Sequence, residues 1–328
     1  MTTRHDVNFG DSIICYSGHG TKSAGIIAAS HNDIGIKGIA PNINLVSISH
    51  PMGTQYDYTE EFVDGFNWAW QEGNVDIINC PWYALNQSQE LDDAIKDALM
   101  HGRKGNGCVI VFSSGNDDYH MVNYPGDTHP DILVVGGVLN NGKRCNENDT
   151  NWGSNYGELL DVMAPGENIK STTLYNRYIE DSGTSFACAH VSGVAALMLS
   201  VNPSLTNVEI NDLIEATARK IHSSLYSYRT TENRLNGTWN NEMGYGLIDA
   251  TAAVRAATTF NRSGTHVSNQ MISNNDTLYY SNVTMDNVHI TDSASILILK
   301  SQNLVLNSNV RIDKGVKFNV SNFTISKL

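Results

Sequence analysis

Cysteine is scarce in this chain and widely scattered. The 328 residues hold five: Cys15, Cys80, Cys108, Cys145 and Cys188. The number is odd and no CxxC pair occurs, which excludes a disulfide-dense scaffold and a zinc ribbon. No stretch reaches the roughly 18 consecutive apolar residues of a membrane-spanning helix, so none is expected. The start, Met1-Thr-Thr-Arg-His-Asp-Val-Asn8, has no apolar run of the signal-peptide kind. Positive charge is in short supply. Against 34 acidic residues stand 21 Lys and Arg, for a formal net charge of −13. That balance argues against nucleic acid or an anionic membrane as the main partner. Apolar residues make up 41% and charged residues 17%, enough for a sizeable core and too little charge for wholesale disorder.

The scarcities are uneven along the chain. All seven prolines lie at or before Pro203, all five tryptophans at or before Trp239 and all cysteines at or before Cys188. The last 71 residues, Thr258 to Leu328, contain none of these and only two glycines, but 28 Asn, Ser or Thr. Their six basic and four acidic residues leave the preceding part at −15. A boundary near Ala257 to Arg262 follows, with a body over 1–257 and a C-terminal module over 258–328.

The body alternates two patterns. Short apolar runs read as buried strands: Asn44 to Ile48, Asp76 to Asn79, Cys108 to Phe112, Ile132 to Gly136 and Leu160 to Met163. Between several of them lie helix-period segments, Thr21 to Ser30, Glu60 to Gln71 and Ser88 to His101. Near-continuous apolar strands alternating with helices predict a parallel sheet covered on both faces, an α/β body of three layers. A helix over Ser185 to Ser200 is apolar almost all round and is expected to be buried. Another begins at Thr206, where Thr-x-x-Glu209 has the form of a capping box, and runs to about Lys220. The tail differs. Val310/Ile312, Val316/Phe318/Val320 and Phe323/Ile325 alternate at period two, and Ile296 to Leu299 and Leu304 to Leu306 are short apolar runs. These predict short strands in an all-β sandwich or solenoid-like module, with no strict repeat in the letters.

Three segments carry chemistry. In Ser182-Gly-Thr-Ser185, followed by an Ala-rich apolar run, Ser185 falls at a helix N-terminus. Free N–H groups and the helix dipole there stabilise developing negative charge, which suits a nucleophile. The plainer alternative is a serine that only caps the helix. His19 sits between Gly18 and Gly20 at the start of a small-residue helix, where an imidazole is open and oriented enough to be a general base. Alone, such a histidine reads as a surface or core residue. The strand Val109 to Phe112 ends in Ser-Ser-Gly-Asn116, which presents the Asn116 amide beyond a strand's carboxyl end, where it can donate to an oxyanion. Alone, it reads as a turn-forming Asn.

Together these segments resemble the subtilisin-like serine proteases, the subtilase or S8 peptidase family. The motifs are His19-Gly-Thr-Lys-Ser-Ala-Gly25, Ser113-Ser-Gly-Asn-Asp117 and Ser182-Gly-Thr-Ser-Phe-Ala-Cys-Ala-His-Val-Ser-Gly193. Gly38-Ile-Ala-Pro41, Asp76-Ile-Ile-Asn79, Asp161-Val-Met-Ala-Pro-Gly166 and Met243-Gly-Tyr-Gly-Leu247 are weaker similarities. The resemblance covers about residues 10 to 256. It implies a bacterial-type, secreted or cell-surface serine endopeptidase acting on peptides or proteins, with His19 as base, Ser185 as nucleophile and Asn116 as oxyanion donor. The substrate-binding positions fall on Cys80, Pro81, Trp82, Tyr83, Ser114 and Gly115. No organic cofactor is implied. Calcium is common in the family, but no EF-hand-like ligand cluster occurs here.

Departures qualify this. The family's aspartate lies on a first strand in a D-[ST]-G segment, well before the histidine. Asp6 and Asp11 are the available acids, and both read as loop residues. The chain is therefore expected to begin after that strand, as an N-terminally shortened copy. Cys80-Pro-Trp-Tyr-Ala84 stands where the family usually has Ser and then Gly residues lining its specificity pocket; Tyr83 and Ala84 add side chains there, and Pro81 has no N–H to offer a bound peptide. These changes motivate an alternative, a non-catalytic peptide-binding or surface protein. His190 and Cys188 read as packed core residues, and Trp68 and Trp70 as packing or surface groups. The few tail aromatics, Tyr279, Tyr280, Phe318 and Phe323, favour a spacer or sorting appendage over a sugar-binding module.

Overall fold

The computed structural model describes residues 4–6, 18–49, 59–148, 150–232 and 234–260, and the strands between residues 265 and 327. β1 (Arg4–Asp6) and β2 (Ser47–Ser49) are parallel partners with Asp6 opposite Ser49, and α1 (His19–Ala28) lies between them in sequence. α2 (Thr59–Gln71) leads to β3 (Ile77–Cys80) and α3 (Gln89–Gly105) to β4 (Val109–Ser113). β5 (Leu133–Val138) and β6 (Val162–Pro165) follow, and β3-β4-β5-β6 form one parallel sheet in that order. β7 (Ile169–Thr173) and β8 (Arg177–Asp181) make an antiparallel hairpin that runs into α4 (Thr184–Val201). α5 (Asn207–Thr217), the antiparallel pair β9 (Arg229–Thr231) and β10 (Arg234–Trp239), and α6 (Ala250–Thr259) complete the body.

Successive side chains of a strand point to opposite faces, and β4 shows the layering directly. Val109 and Val111 pack with α4, α5 and α6 residues such as Val191, Met198, Leu213 and Ala256. Ile110 and Phe112 pack on the other side with Phe66 of α2 and Leu91, Ile95 and Ala98 of α3. Each fully buried aliphatic side chain of this kind contributes roughly 1.5–3 kcal/mol. The expected three-layer α/β/α body is present. α4 is long and apolar enough to cross a membrane by those measures alone, but 78% of its span is buried inside the fold, which marks a core helix. Among the described residues β3 is hydrogen bonded along one edge only, to β4. Its Ile77, Ile78 and Asn79 are half-buried, whereas β4 and β5 are buried throughout.

Helix starts follow the local chemistry. Ser88 caps α3 by accepting from Leu91 N at 3.3 Å. Thr206 and Glu209 form the full reciprocal capping box of α5. The reading of Asp6 as a loop residue is corrected: it ends β1. Three residues carry no strand pattern of their own, and pairing with β2 extends them. Asp11 lies outside the described residues.

The tail strands are β11 (Thr265–Ile272), β12 (Asp276–Tyr279), β13 (Asn282–Ile290), β14 (Ser295–Leu299), β15 (Asn303–Leu306), β16 (Arg311–Ile312), β17 (Lys317–Val320) and β18 (Thr324–Lys327). Every pairing among them is parallel, in two sheets, β11-β13-β15-β18 with β16 beside β13, and β12-β14-β17. Thr265 pairs with Val283, Asn282 with Asn303 and Asn303 with Thr324, so rungs repeat after 18 to 21 residues. Short connections between parallel strands of alternating sheets define a solenoid rather than a sandwich.

Candidate active site

Ser185 is the second residue of α4, behind Thr184, and the N-cap is Gly183. The capping alternative for Ser185 therefore does not hold. Its hydroxyl instead donates to the Pro81 carbonyl at 3.1 Å. The first amides of a helix lack partners within it. Here the Thr184 N–H is taken by Asn116 Oδ1 at 2.9 Å and the Phe186 N–H by the Gly183 carbonyl at 3.1 Å. The Ser185 N–H between them belongs to the same first turn, whose amides have no acceptor within the helix.

Asn116 lies past the end of β4, and Thr184 holds it with two bonds to one atom. Its Oδ1 accepts from both the amide and the hydroxyl of Thr184, the latter at 2.8 Å. With the oxygen fixed, the Nδ2 donors are the end turned to other partners. Gly115 before it has φ of +112°, and a Cβ there would meet Asn155 Nδ2 at 2.3 Å. Only glycine suits such a position. Asn155 braces the same loop by accepting from Asp117 N at 2.9 Å and Tyr119 N at 3.0 Å.

His19 is the first residue of α1, and its ring lies 6.2 Å from that of Phe186, the neighbour of Ser185. Burial holds its pKa below the ordinary 6.5, the Lys22 ammonium pushes the same way, and Asp181 opposes them. That direction favours the neutral imidazole, the state a general base needs. Lys22 Nζ lies 2.6 Å from Asp181 Oδ2. Burial would raise the Asp181 carboxyl, but Lys22, the Ser182 N–H and His19 together hold it below its usual value.

The remaining expected site residues divide. Pro81 reaches Ser185 through its carbonyl, and Tyr83 is 50% exposed. Cys80 is buried in the core, and Trp82 stacks on Phe62 at 4.0 Å and edges onto Phe112 at 5.1 Å. Ser114 is buried at the end of β4 beside Ser154, and the Gly115 carbonyl accepts from the Thr184 hydroxyl at 3.2 Å. A cavity of about 430 Å³ opens beside Asn116 and Ser182, walled by Trp152, Glu167, Glu180 and Asp181. His190 bonds the Phe186 carbonyl through Nδ1 at 2.8 Å, and Cys188 is fully buried, with Sγ 3.2 Å from the Val111 carbonyl. Both are packed residues, as expected. Cys80, Cys108 and Cys188 are free thiols. Among the described residues no three His, Cys, Asp or Glu converge as metal ligands.

Sequence reasoning missed Thr184, Asn155, Lys22 and Asp181. Thr184 sits inside the serine motif and Lys22 inside the histidine motif, so proximity was a usable signal for those two. Asn155 and Asp181 carry none, because their partners are distant in sequence.

The model of the subtilase family matches residues 4–246. Subtilisin Savinase of Lederbergia lenta is 31% identical over 239 residues, 73% of this chain and 78% of its own length. An alkaline protease of Alkalihalobacillus alcalophilus is 32% identical over 239 residues, and the match spans 55% of that protein. A thermostable alkaline protease of Halalkalibacterium halodurans is 36% identical over 211 residues, also 55% of its length. The chain thus spans about half of those two relatives. Among solved structures, MycP1 with its N-terminal propeptide removed superposes with a TM-score of 0.61 at 24% identity over 76% of this chain and 83% of its own. The prenylagaramide maturation protease PagA does so at 0.59 and 23%, over 77% and 86%. At those identities the two share the fold.

Proposed function

This chain belongs to the subtilase family, by family a serine endopeptidase, and from that premise we propose that it hydrolyses peptide bonds through Ser185, His19 and Asn116. Ser185 Oγ attacks the scissile carbonyl carbon while His19 takes the hydroxyl proton. The carbonyl oxygen, now negative, is held by Asn116 Nδ2 and the Ser185 N–H. Collapse breaks the C–N bond, and His19 returns the proton to the departing amine. Water then cleaves the acyl-enzyme by the same exchange. No organic cofactor enters, and the substrates are peptides or proteins met outside the cell.

The observation that carries this reading is Thr184 holding the oxygen of Asn116 while Ser185 occupies the next helical position. Those bonds fix the oxygen end of the Asn116 amide, which supports a role for its Nδ2 donors toward a developing oxyanion. A second reading, peptide binding without turnover, is favoured by the bond from Ser185 to the Pro81 carbonyl. Incubation with an unstructured peptide separates them. Cleavage abolished in Ser185→Ala supports the peptidase. Binding of the intact peptide by both proteins, without cleavage by either, supports the binder.

A further inference from the structure

We propose that the ion pair between Lys22 and Asp181 positions His19 against Ser185, so that these two residues serve the reaction without touching substrate. The proposal rests on the reading of His19 and Ser185 as base and nucleophile. Lys22 follows His19 by three residues on α1, one helical turn, and Asp181 precedes Ser185 by four, at the end of β8. Their 2.6 Å contact joins the helix of the base to the segment that enters the helix of the nucleophile.

The contact completes a clamp. Ser171 Oγ donates to the Lys22 carbonyl at 2.6 Å and Thr172 Oγ1 to the Thr21 carbonyl at 2.9 Å. Both come from β7, so the β7–β8 hairpin grips α1 at three points, and only the third carries charge. Side-chain exposures of 18% for Lys22 and 40% for Asp181 leave the pair too wet to add much stability. Its consequence is geometric and electrostatic. At His19 the two charges act in opposite directions, Lys22 against protonation and Asp181 for it.

Among the described residues, α4 and β7 pack directly on α1. α4 presents the Phe186 ring, with His190 one turn on and bonded to the Phe186 carbonyl. β7 presents Ser171 and Thr172, while its Lys170 is exposed, and β8 carries the exposed Glu180 beside Asp181. A packing role alone would make the loss of either partner look the same. A pair that both holds the helix and balances the field at His19 gives opposite signs.

The test compares the full chain with Lys22→Gln, Asp181→Asn and the double variant. One readout is the rate at which a fluorophosphonate modifies Ser185 across pH. In that reaction the Oγ–P bond forms, fluoride leaves and the hydroxyl proton passes to His19. The other readout is the imidazole titration of His19 by NMR, which needs no activity. Each single variant is expected to label about 10-fold more slowly, as small misplacements of a catalytic group do. The His19 midpoint is expected to fall in Asp181→Asn and rise in Lys22→Gln, each by on the order of half a pH unit. The double variant restores the midpoint but not the rate. Equal labelling of the parent and Ser185→Ala would overturn the nucleophile assignment, and the His19 titration would still decide the pair. Midpoints moving the same way in both single variants, or unmoved, would overturn the proposal, as would parental labelling rates in both.

Discussion

The Ser185 hydroxyl rests on the Pro81 carbonyl, 3.1 Å away. Proline has no N–H, so this carbonyl is the one main-chain polar group the residue offers. To attack an acyl carbon, the hydroxyl must turn away from it. A single neutral hydrogen bond is worth about 0.5–1.5 kcal/mol, so that turn is affordable within a catalytic cycle. Ser185→Ala should therefore change folding stability by no more than about 1.5 kcal/mol, since alanine also suits a helix. Denaturant titration of parent and variant checks this. A larger loss would mean that Ser185 is chiefly a structural residue.

Asn116 has two ends that substitution can separate. Its oxygen accepts from the Thr184 amide at the start of α4, and in the proposed reaction its Nδ2 serves the oxyanion. Asn116→Asp keeps the acceptor and removes the donor. It should retain the fold and lose about 10²- to 10³-fold in rate. Asn116→Ala should lose a similar rate and, in addition, about 1 kcal/mol of stability through the unmet amide. Equal stability of the two variants would show that the Oδ1 bonds to Thr184 contribute nothing.

Gly25 sits where α1 crosses the β7–β8 hairpin. A Cβ there would lie 2.2 Å from Thr172 Oγ1, 2.6 Å from Ser171 Oγ and 3.0 Å from the Thr172 nitrogen. Both hydroxyls are engaged with α1 carbonyls, so neither can yield without losing its bond. Gly25→Ala is expected to cost about 1–3 kcal/mol and to slow labelling of Ser185 by displacing His19. Parental stability together with a parental labelling rate would refute the clamp's geometry.

Away from the site, a half-buried polar cluster joins α5 to the β9–β10 pair. Asn236 Nδ2 donates to Asp212 at 2.8 Å and to Glu215 at 2.5 Å, and Arg234 meets Asp161 at 2.6 Å. Burial, then the charges of Asp161 and Asp212, push the Glu215 carboxyl up to about 8. Burial pulls Lys220, bonded to the Tyr245 carbonyl, down to about 8. From about pH 4.5 to 8 the folded Glu215 holds a proton that the unfolded chain has released, so stability falls as pH rises. From about 8 to 10.5 the unfolded chain keeps the Lys220 proton that the folded one has lost, so stability rises. Thermal melts across pH should show this pair's minimum near 8, and Glu215→Gln should flatten the lower limb. An unchanged slope in that variant would contradict the assignment.

Much of this architecture was readable from the letters because the responsible interactions are local. The apolar runs of β4 and β5, the all-apolar α4 and the Thr206–Glu209 box each carry their own signal. Asp6 did not, because three residues become a strand only by pairing with Ser47–Ser49. The tail strands were visible but their order was not, since the repeat is held by parallel register, such as Asn303 on Thr324, and not by recurring residues. α6 was missed because its core side is built from small alanines, Ala253, Ala256 and Ala257, and Asp249, its cap, resembles any surface aspartate. At the site the motifs announced His19, Asn116 and Ser185. Their supports lie far apart in sequence, Lys22 from Asp181 by 159 residues and Asn116 from Thr184 by 68.

The central claim is that Ser185 is a nucleophile activated by His19. The most direct measurement is mass-spectrometric mapping of the fluorophosphonate adduct on the full chain, His19→Ala and Ser185→Ala. The account predicts one adduct, on the peptide containing Ser185, strongly reduced in His19→Ala and absent in Ser185→Ala. An adduct on another residue, or one on Ser185 that forms equally fast without His19, would contradict it.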